Sequence, residues 1–173
     1  AVMPVLAQET RYEVEIRGVE DRQGLNNLLR DVSRLVALRD EPPPSPIGLR
    51  RRADADLDRM TAALRSAGFY DAIVELEIDV EAQPAKVVVN VEEGERYRIT
   101  SLTLKGKDGK DLPGDLPTAA DLGLAVGSPA DGPEIQSAEG RILPRFAEKG
   151  YAYAAVLDRQ YIVDHAKNGM DIT

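Results

Sequence analysis

Residues 63–78 read ALRSAGFYDAIVELEI, and residues 145–156 read RFAEKGYAYAAV. Each stretch carries a helical pattern to a glycine, Gly68 or Gly150, meets an aromatic at once and turns to alternating apolar residues. Glycine takes the left-handed conformation that closes a helix without a Cβ penalty. A fall in apolar period from 3.6 to 2 marks the start of a strand. The same junction used twice points to two copies of one small α/β unit.

Working outward from the first junction, Tyr12, Val14 and Ile16 alternate with Glu13, Glu15 and Arg17, which predicts a half-buried strand over 12–18. Leu25, Leu28, Leu29, Val32, Leu35 and Val36 then form one stripe of a helix over roughly 23–38. Three successive prolines, 42–44, end it. Ser45-Pro46 supplies an N-cap followed by proline at the first helical position. The second helix is expected to bury Leu57, Met60, Leu64 and Ala67. Ala72, Val74, Leu76, Ile78 and Val80 line one face of the next strand, and Glu75, Glu77 and Asp79 stand on the other. After AQPA (82–85) a third strand buries Val87, Val89 and Val91.

The second copy begins with ITSLTLKG (99–106), which sets Leu102, Leu104 and Gly106 where Val14, Ile16 and Gly18 stand. A Gly/Asp/Pro loop (107–117) leads to a short helical stretch near 118–125, and Ser128-Pro129 repeats Ser45-Pro46. A helix near 133–149 contains Gly140 and Pro144, so a bend or break is expected there. YAYAAVLDRQYIVD (151–164) reads as the next strand and AKNG (166–169) as a hairpin turn. A last strand begins at Met170 and is expected to be almost wholly missing, leaving the second unit incomplete at its C-terminus.

Composition narrows the function. The net charge of −8 leaves no basic footprint for a polyanion, so nucleic acid is excluded as a partner. With no cysteine there is no disulfide, thiol nucleophile or thiolate-bound zinc. No apolar run reaches the roughly 20 residues of a membrane helix. Val5-Leu6-Ala7 has the small residues of a secretory cleavage site, so residues 1–10 read as a signal-peptide remnant and leader.

The single histidine, His165, reads as an exposed turn residue. Glu75, Glu77 and Asp79 read as solvated charges with no accompanying calcium loop. GKDGKD (106–111) lacks the helix a phosphate loop needs and reads as a turn. Arg50, Arg51 and Arg52 oppose the dipole at a helix start; they read as a solvated face or as a patch for docking a partner. No nucleophile, base and oxyanion site assembles, so no enzyme, cofactor or metal is expected.

The order strand–helix–helix–strand–strand resembles the polypeptide-transport-associated (POTRA) module. The resemblance is carried by the Gly-aromatic junction and by the string Val87-Val89-Val91-Glu93-Gly94-Tyr97-Ile99-Leu102-Leu104-Gly106. It covers about residues 11–169 and is similar to the periplasmic arm of the BamA/TamA outer-membrane assembly superfamily. The stretch EIRGVEDRQGLNNLLRDVSRL (15–35) looks most like the TamA-type translocation and assembly module subunit. Cell-division and two-partner-secretion proteins use the module too.

The resemblance implies an α+β fold of two tandem β-α-α-β-β modules, 11–94 and 95–173, each a three-stranded sheet covered on one face by two helices. It implies a periplasmic chain attached to the outer membrane through a β-barrel, serving outer-membrane (autotransporter) assembly. It further implies that the second strand of each module is a sheet edge able to accept client polypeptide by strand addition. Those edges are Ala72, Ile73, Val74, Glu75, Leu76 and Glu77 in the first unit, and Tyr153, Ala155 and Leu157 in the second. The expected partners are unfolded outer-membrane clients and an inner-membrane-anchored assembly protein. A purely architectural spacer is the alternative.

Overall fold

The structure is a computed structural model, described here for residues 9–19, 24–118, 121 and 123–173. Residues 1–8, which hold most of the expected signal-peptide remnant, lie outside the described residues, as do 119, 120 and 122 of the helical stretch expected near 118–125. The fold is α+β. The chain divides into two compact units, one running to Arg65 and including Asp71–Gly94, the other formed by Ser66–Tyr70 and Glu95–Thr173.

In the first unit β1 (Tyr12–Arg17), β2 (Ile73–Asp79) and β3 (Ala85–Glu92) form a sheet of order β1-β3-β2. β3 is central because its β-branched residues suit the most buried strand: Ala85, Val87, Val89 and Val91 are all buried. β1 runs parallel to β3, a pairing that requires a crossover, and the helices provide it. β2 runs antiparallel to β3, placing Val74 opposite Val91, Leu76 opposite Val89 and Ile78 opposite Val87. Cross-strand apolar pairs of this kind are the unit of sheet stability, each contributing roughly 0.2–1 kcal/mol.

The helix expected over 23–38 is two helices, α1 (Leu25–Val32) and α2 (Arg34–Ala37). Between them Ser33 is extended, with φ −79° and ψ 122°. The cause is a carboxylate on the next helix, α3 (Pro46–Ser66). Asp56 is fully buried. It accepts hydrogen bonds from the N–H groups of Arg34 (3.0 Å) and Leu35 (2.8 Å) and from the Ser33 hydroxyl (2.6 Å). Those are donors that a helix start leaves without partners. Arg59 balances the charge at 2.9 Å. The buried stripe of α3 is therefore Leu49, Ala53, Asp56, Met60 and Leu64, and the expected Leu57 lies beside it, half-buried. Ser45 caps α3 as read, its Oγ accepting from Gly48 N–H at 3.2 Å.

The second unit repeats the topology: β4 (Arg98–Leu102), β5 (Tyr161–Asp164) and β6 (Gly169–Ile172) form a sheet of order β4-β6-β5. The last strand, β6, is the central strand; Met170 and Ile172 are buried in the core with Tyr97, Ile99 and Ile135. β4 stops at Leu102, short of the expected Gly106, and Thr100 forms a bulge where the register shifts. One long helix, α4 (Gly132–Glu148), covers this sheet among the described residues.

Two further expectations are corrected here. α4 passes Pro144 unbroken; Gly140 and Pro144 are both exposed, so water can satisfy the carbonyl that lacks its N–H. Ser128-Pro129 is not the cap. Asp131 is, its carboxylate accepting from Glu134 N–H at 3.1 Å. Residues 127–130 instead run along β4: Ile99 N–H donates to Ser128 O, Gly127 N–H to Ile99 O and Ala130 N–H to Tyr97 O, each at 2.8 Å. Gly68 and Gly150 hold the left-handed conformation that the two junctions require, at φ +93° and +92°.

Candidate functional site

The sheet rims are where the two units differ. In the second unit the outer rim of β4 is occupied by residues 127–130. In the first unit, β2 pairs with β3 through all seven of its residues. Among the described residues, no other segment donates a backbone hydrogen bond to β2 or accepts one from it. An antiparallel edge directs half of its N–H and C=O groups outward, so this rim can receive a strand.

The edge residues read from the sequence sort onto its two faces. Val74 is buried and Leu76 and Ile78 are half-buried on the helix-covered face. Ile73, Glu75, Glu77 and Asp79 are exposed on the other, with Ile73 52% accessible. Ala72 precedes the strand. The open face is knitted by side chains: Asn90 donates to Glu77 at 2.8 Å, and Asp79 stands opposite Lys86. On the far strand Arg17 binds Glu15 at 2.7 Å, which lowers the Glu15 carboxyl below its ordinary value and raises the guanidinium. These charges keep the face wet and leave Ile73 as the apolar residue at the rim's start.

The corresponding residues of the second unit are not on a strand. Tyr153, Ala155 and Leu157 lie in an irregular segment, and the strand begins only at Tyr161. Tyr161 faces Ile172, and Gln160 and Thr173 exchange two backbone hydrogen bonds of 2.9 and 3.0 Å. Tyr153 is fully exposed and Leu157 is 68% exposed.

The arginine run also divides. Arg50 and Arg51 are exposed. Arg52 is a structural residue: it donates to the Tyr12 hydroxyl (3.1 Å) and to the carbonyls of Leu38 (3.1 Å) and Glu41 (3.0 Å), and its guanidinium lies 5.9 Å from the Tyr12 ring centre. Carbonyls at the end of α2 thus have their partner, which explains a cation early in α3 that helix electrostatics alone disfavours. His165 is an exposed turn residue, as read, and its Nδ1 lies 2.8 Å from the hydroxyl of fully buried Tyr97. GKDGKD closes as a tight turn, Gly106 N–H donating to Lys110 O at 2.9 Å. Among the described residues no three metal-binding side chains gather, and no helix is long and apolar enough to cross a membrane.

Asp56 and Arg52 are the residues whose roles the sequence reading missed. For Asp56 a signal exists: it sits seven residues after Leu49 and four before Met60, inside an apolar stripe.

No protein-family model matches the chain, and no curated protein matches it. Solved structures do. The chain is similar to POTRA3-5 of BamA from Haemophilus influenzae, at 17% identity over 95% of this chain and 63% of that one, with a TM-score of 0.46. It is similar to POTRA1-2 of the periplasmic domain of Omp85 from Anabaena, at 14% identity over 95% and 92% of the two chains, with a TM-score of 0.47. Against POTRA1-3 of the same protein the identity is 16%, the coverage 94% and 58%, and the TM-score 0.49. The chain spans less than two thirds of the first and third of these.

Proposed function

We propose that this chain is a tandem POTRA arm, of the TamA type, working on the periplasmic side of an outer-membrane protein assembly factor. Its activity is binding: the rim of β2 takes an extended stretch of unfolded outer-membrane polypeptide, autotransporter clients among them, as a fourth strand. The observation that carries this reading is the uncovered seven-residue edge of β2, against which a backbone ladder can form whatever the client's sequence. The duplicated unit and the string from Val87 to Gly106 support the family assignment. Export through a signal peptide, with residues 1–10 as its remnant and leader, and attachment to the membrane by a barrel, belong to the same proposal. Arg50 and Arg51 are the surface proposed for an inner-membrane-anchored partner.

The test uses a nine-residue synthetic peptide alternating Val and Thr, added to isotope-labelled protein, with amide shifts as the readout. The reading expects shifts concentrated at residues 73–79. A peptide of the same sequence carrying alternate N-methylated amides keeps its side chains but loses one hydrogen-bonding rim, and should bind far more weakly. Equal binding by both peptides would mean that side-chain adhesion is responsible. No shift anywhere at millimolar peptide would favour the spacer role.

A further inference from the structure

The open rim of β2 carries charge in a pattern that a strand laid against it has to answer. Glu75, Glu77 and Asp79 follow Ile73 on the exposed face, while Val74, Leu76 and Ile78 stand on the covered one. Among the described residues Glu75, Glu77 and Glu92 enter no ion pair. The cations of the same face are committed elsewhere: Arg17 binds Glu15 at 2.7 Å, and Lys86 stands opposite Asp79. Asp79 is further engaged by its own turn, accepting from the N–H groups of Glu81 (3.0 Å) and Ala82 (3.2 Å). Unanswered negative charge therefore lies along the first two thirds of the edge.

Beside that stretch the exposed face holds a shallow recess of about 150 Å³, lined by Ile73, Glu75, Asn90, Glu92 and Arg17. In the ladder Ile73 faces Glu92 and Glu75 faces Asn90. A strand added to β2 lies two strand spacings, about 10 Å, from β3, so a short side chain on it does not reach the recess. A lysine or arginine does. Its methylene stem covers exposed Ile73, and its charge arrives between Glu75 and Glu92. A carboxylate in that place meets two like charges, an arrangement that weakens strand pairing.

We propose that the β2 rim selects its strand, taking polypeptide in which apolar residues alternate with lysine or arginine. The apolar side chains extend the covered face beside Val74 and Leu76, and the basic ones answer Glu75, Glu77 and Glu92. The inference rests on strand addition at β2 and adds to it the chemistry of the strand, since a backbone ladder alone is indifferent to sequence.

The test compares three nine-residue peptides with Val at odd positions and Lys, Thr or Glu at even ones. Each is titrated into isotope-labelled protein at about 50 mM salt, and affinity is read from the amide shifts of residues 73–79. The Lys peptide should bind about tenfold tighter than the Thr peptide, and the Glu peptide about tenfold weaker. At about 500 mM salt the three should fall within about twofold of one another, because exposed charges are screened. Shuffling the Val/Lys peptide at constant composition should remove most of its gain. Glu75→Gln with Glu77→Gln should cut the Lys-to-Glu ratio to about tenfold or less. Asp54→Asn with Asp58→Asn, an equal loss of charge at exposed positions of α3, should keep the ratio of the unaltered protein. Equal affinity for all three peptides, with shifts still at 73–79, overturns the selectivity and leaves strand addition standing. Shifts from none of them sink both. A gain that survives shuffling, or that falls equally in the two double variants, means diffuse attraction to a chain of net charge −8 and also overturns the proposal.

Discussion

Residues 73–79 and residues 153–160 follow the same junction, a helix closed by a left-handed glycine and an aromatic, yet the first forms a seven-residue strand and the second is irregular. Their own sequences do not separate them: both alternate, and both have residues of good strand propensity. What differs is the pairing. All seven residues of β2 are paired with β3, whereas residues 153–159 lie in no ladder among the described residues. Strand formation is thus a property of the pair rather than of the segment, since an unpaired extended chain gains no hydrogen bonds to offset its ordering. The helical covers differ too. α1 and α2 are pinned to α3 by the buried Asp56, while α4 is held through apolar contacts and its Asp131 cap.

Mutation of each unit tests the contrast. The largest effect is expected for Asp56→Ala, which strands three buried or part-buried donors and should cost about 3 kcal/mol in the first unit, read by denaturant unfolding. Asp56→Asn keeps one acceptor and should fall between. A cost below about 1 kcal/mol for the alanine variant would remove the buried carboxylate as the cause of the α1–α2 break. Next comes Arg52→Ala, expected to cost about 1–2 kcal/mol because two carbonyls and a hydroxyl lose their donor. Arg51→Ala should stay within about 0.5 kcal/mol, as exposed substitutions do. Equal effects would mean that the arginine run acts as one surface.

The smallest effect belongs to Asp171. Hydrogen bonds from Ser101 and then Thr100, at 2.6 and 2.7 Å, hold its carboxyl below the ordinary range. A carboxyl whose value is depressed on folding contributes stability at neutral pH, and the contribution is lost as pH falls through the folded-state value. Asp171→Asn should therefore flatten the acid limb of melting temperature against pH, while leaving the neutral plateau nearly in place. An unchanged acid limb would show that the bulge at Thr100 does not depend on this charge.

Much of the fold was legible because local signals agreed with it. Tyr12, Val14 and Ile16 alternate and form β1; Val87, Val89 and Val91 alternate and form the center of the sheet; Gly68 and Gly150 end helices where they were read to. The misses share one physical cause, partners distant in sequence. Nothing near Ser33 reveals that a carboxylate 23 residues away will break its helix. Ser128-Pro129 copies a capping pair, but the rim of β4 claims its backbone instead. The alternation of 151–160 states a preference that only a facing strand can satisfy. That β2 is a sheet edge was implied by the resemblance to the POTRA module, whereas its open rim could be seen only once the other loops were in place.

Strand addition at β2 is tested by site-specific photocrosslinking from Ile73, Glu75 and Glu77 in turn, mapped along the nine-residue Val/Thr peptide. A paired strand predicts that the captured peptide position moves by two residues each time the probe moves by two. A single capture point common to all three probes, or none on the peptide, would contradict strand addition at this edge.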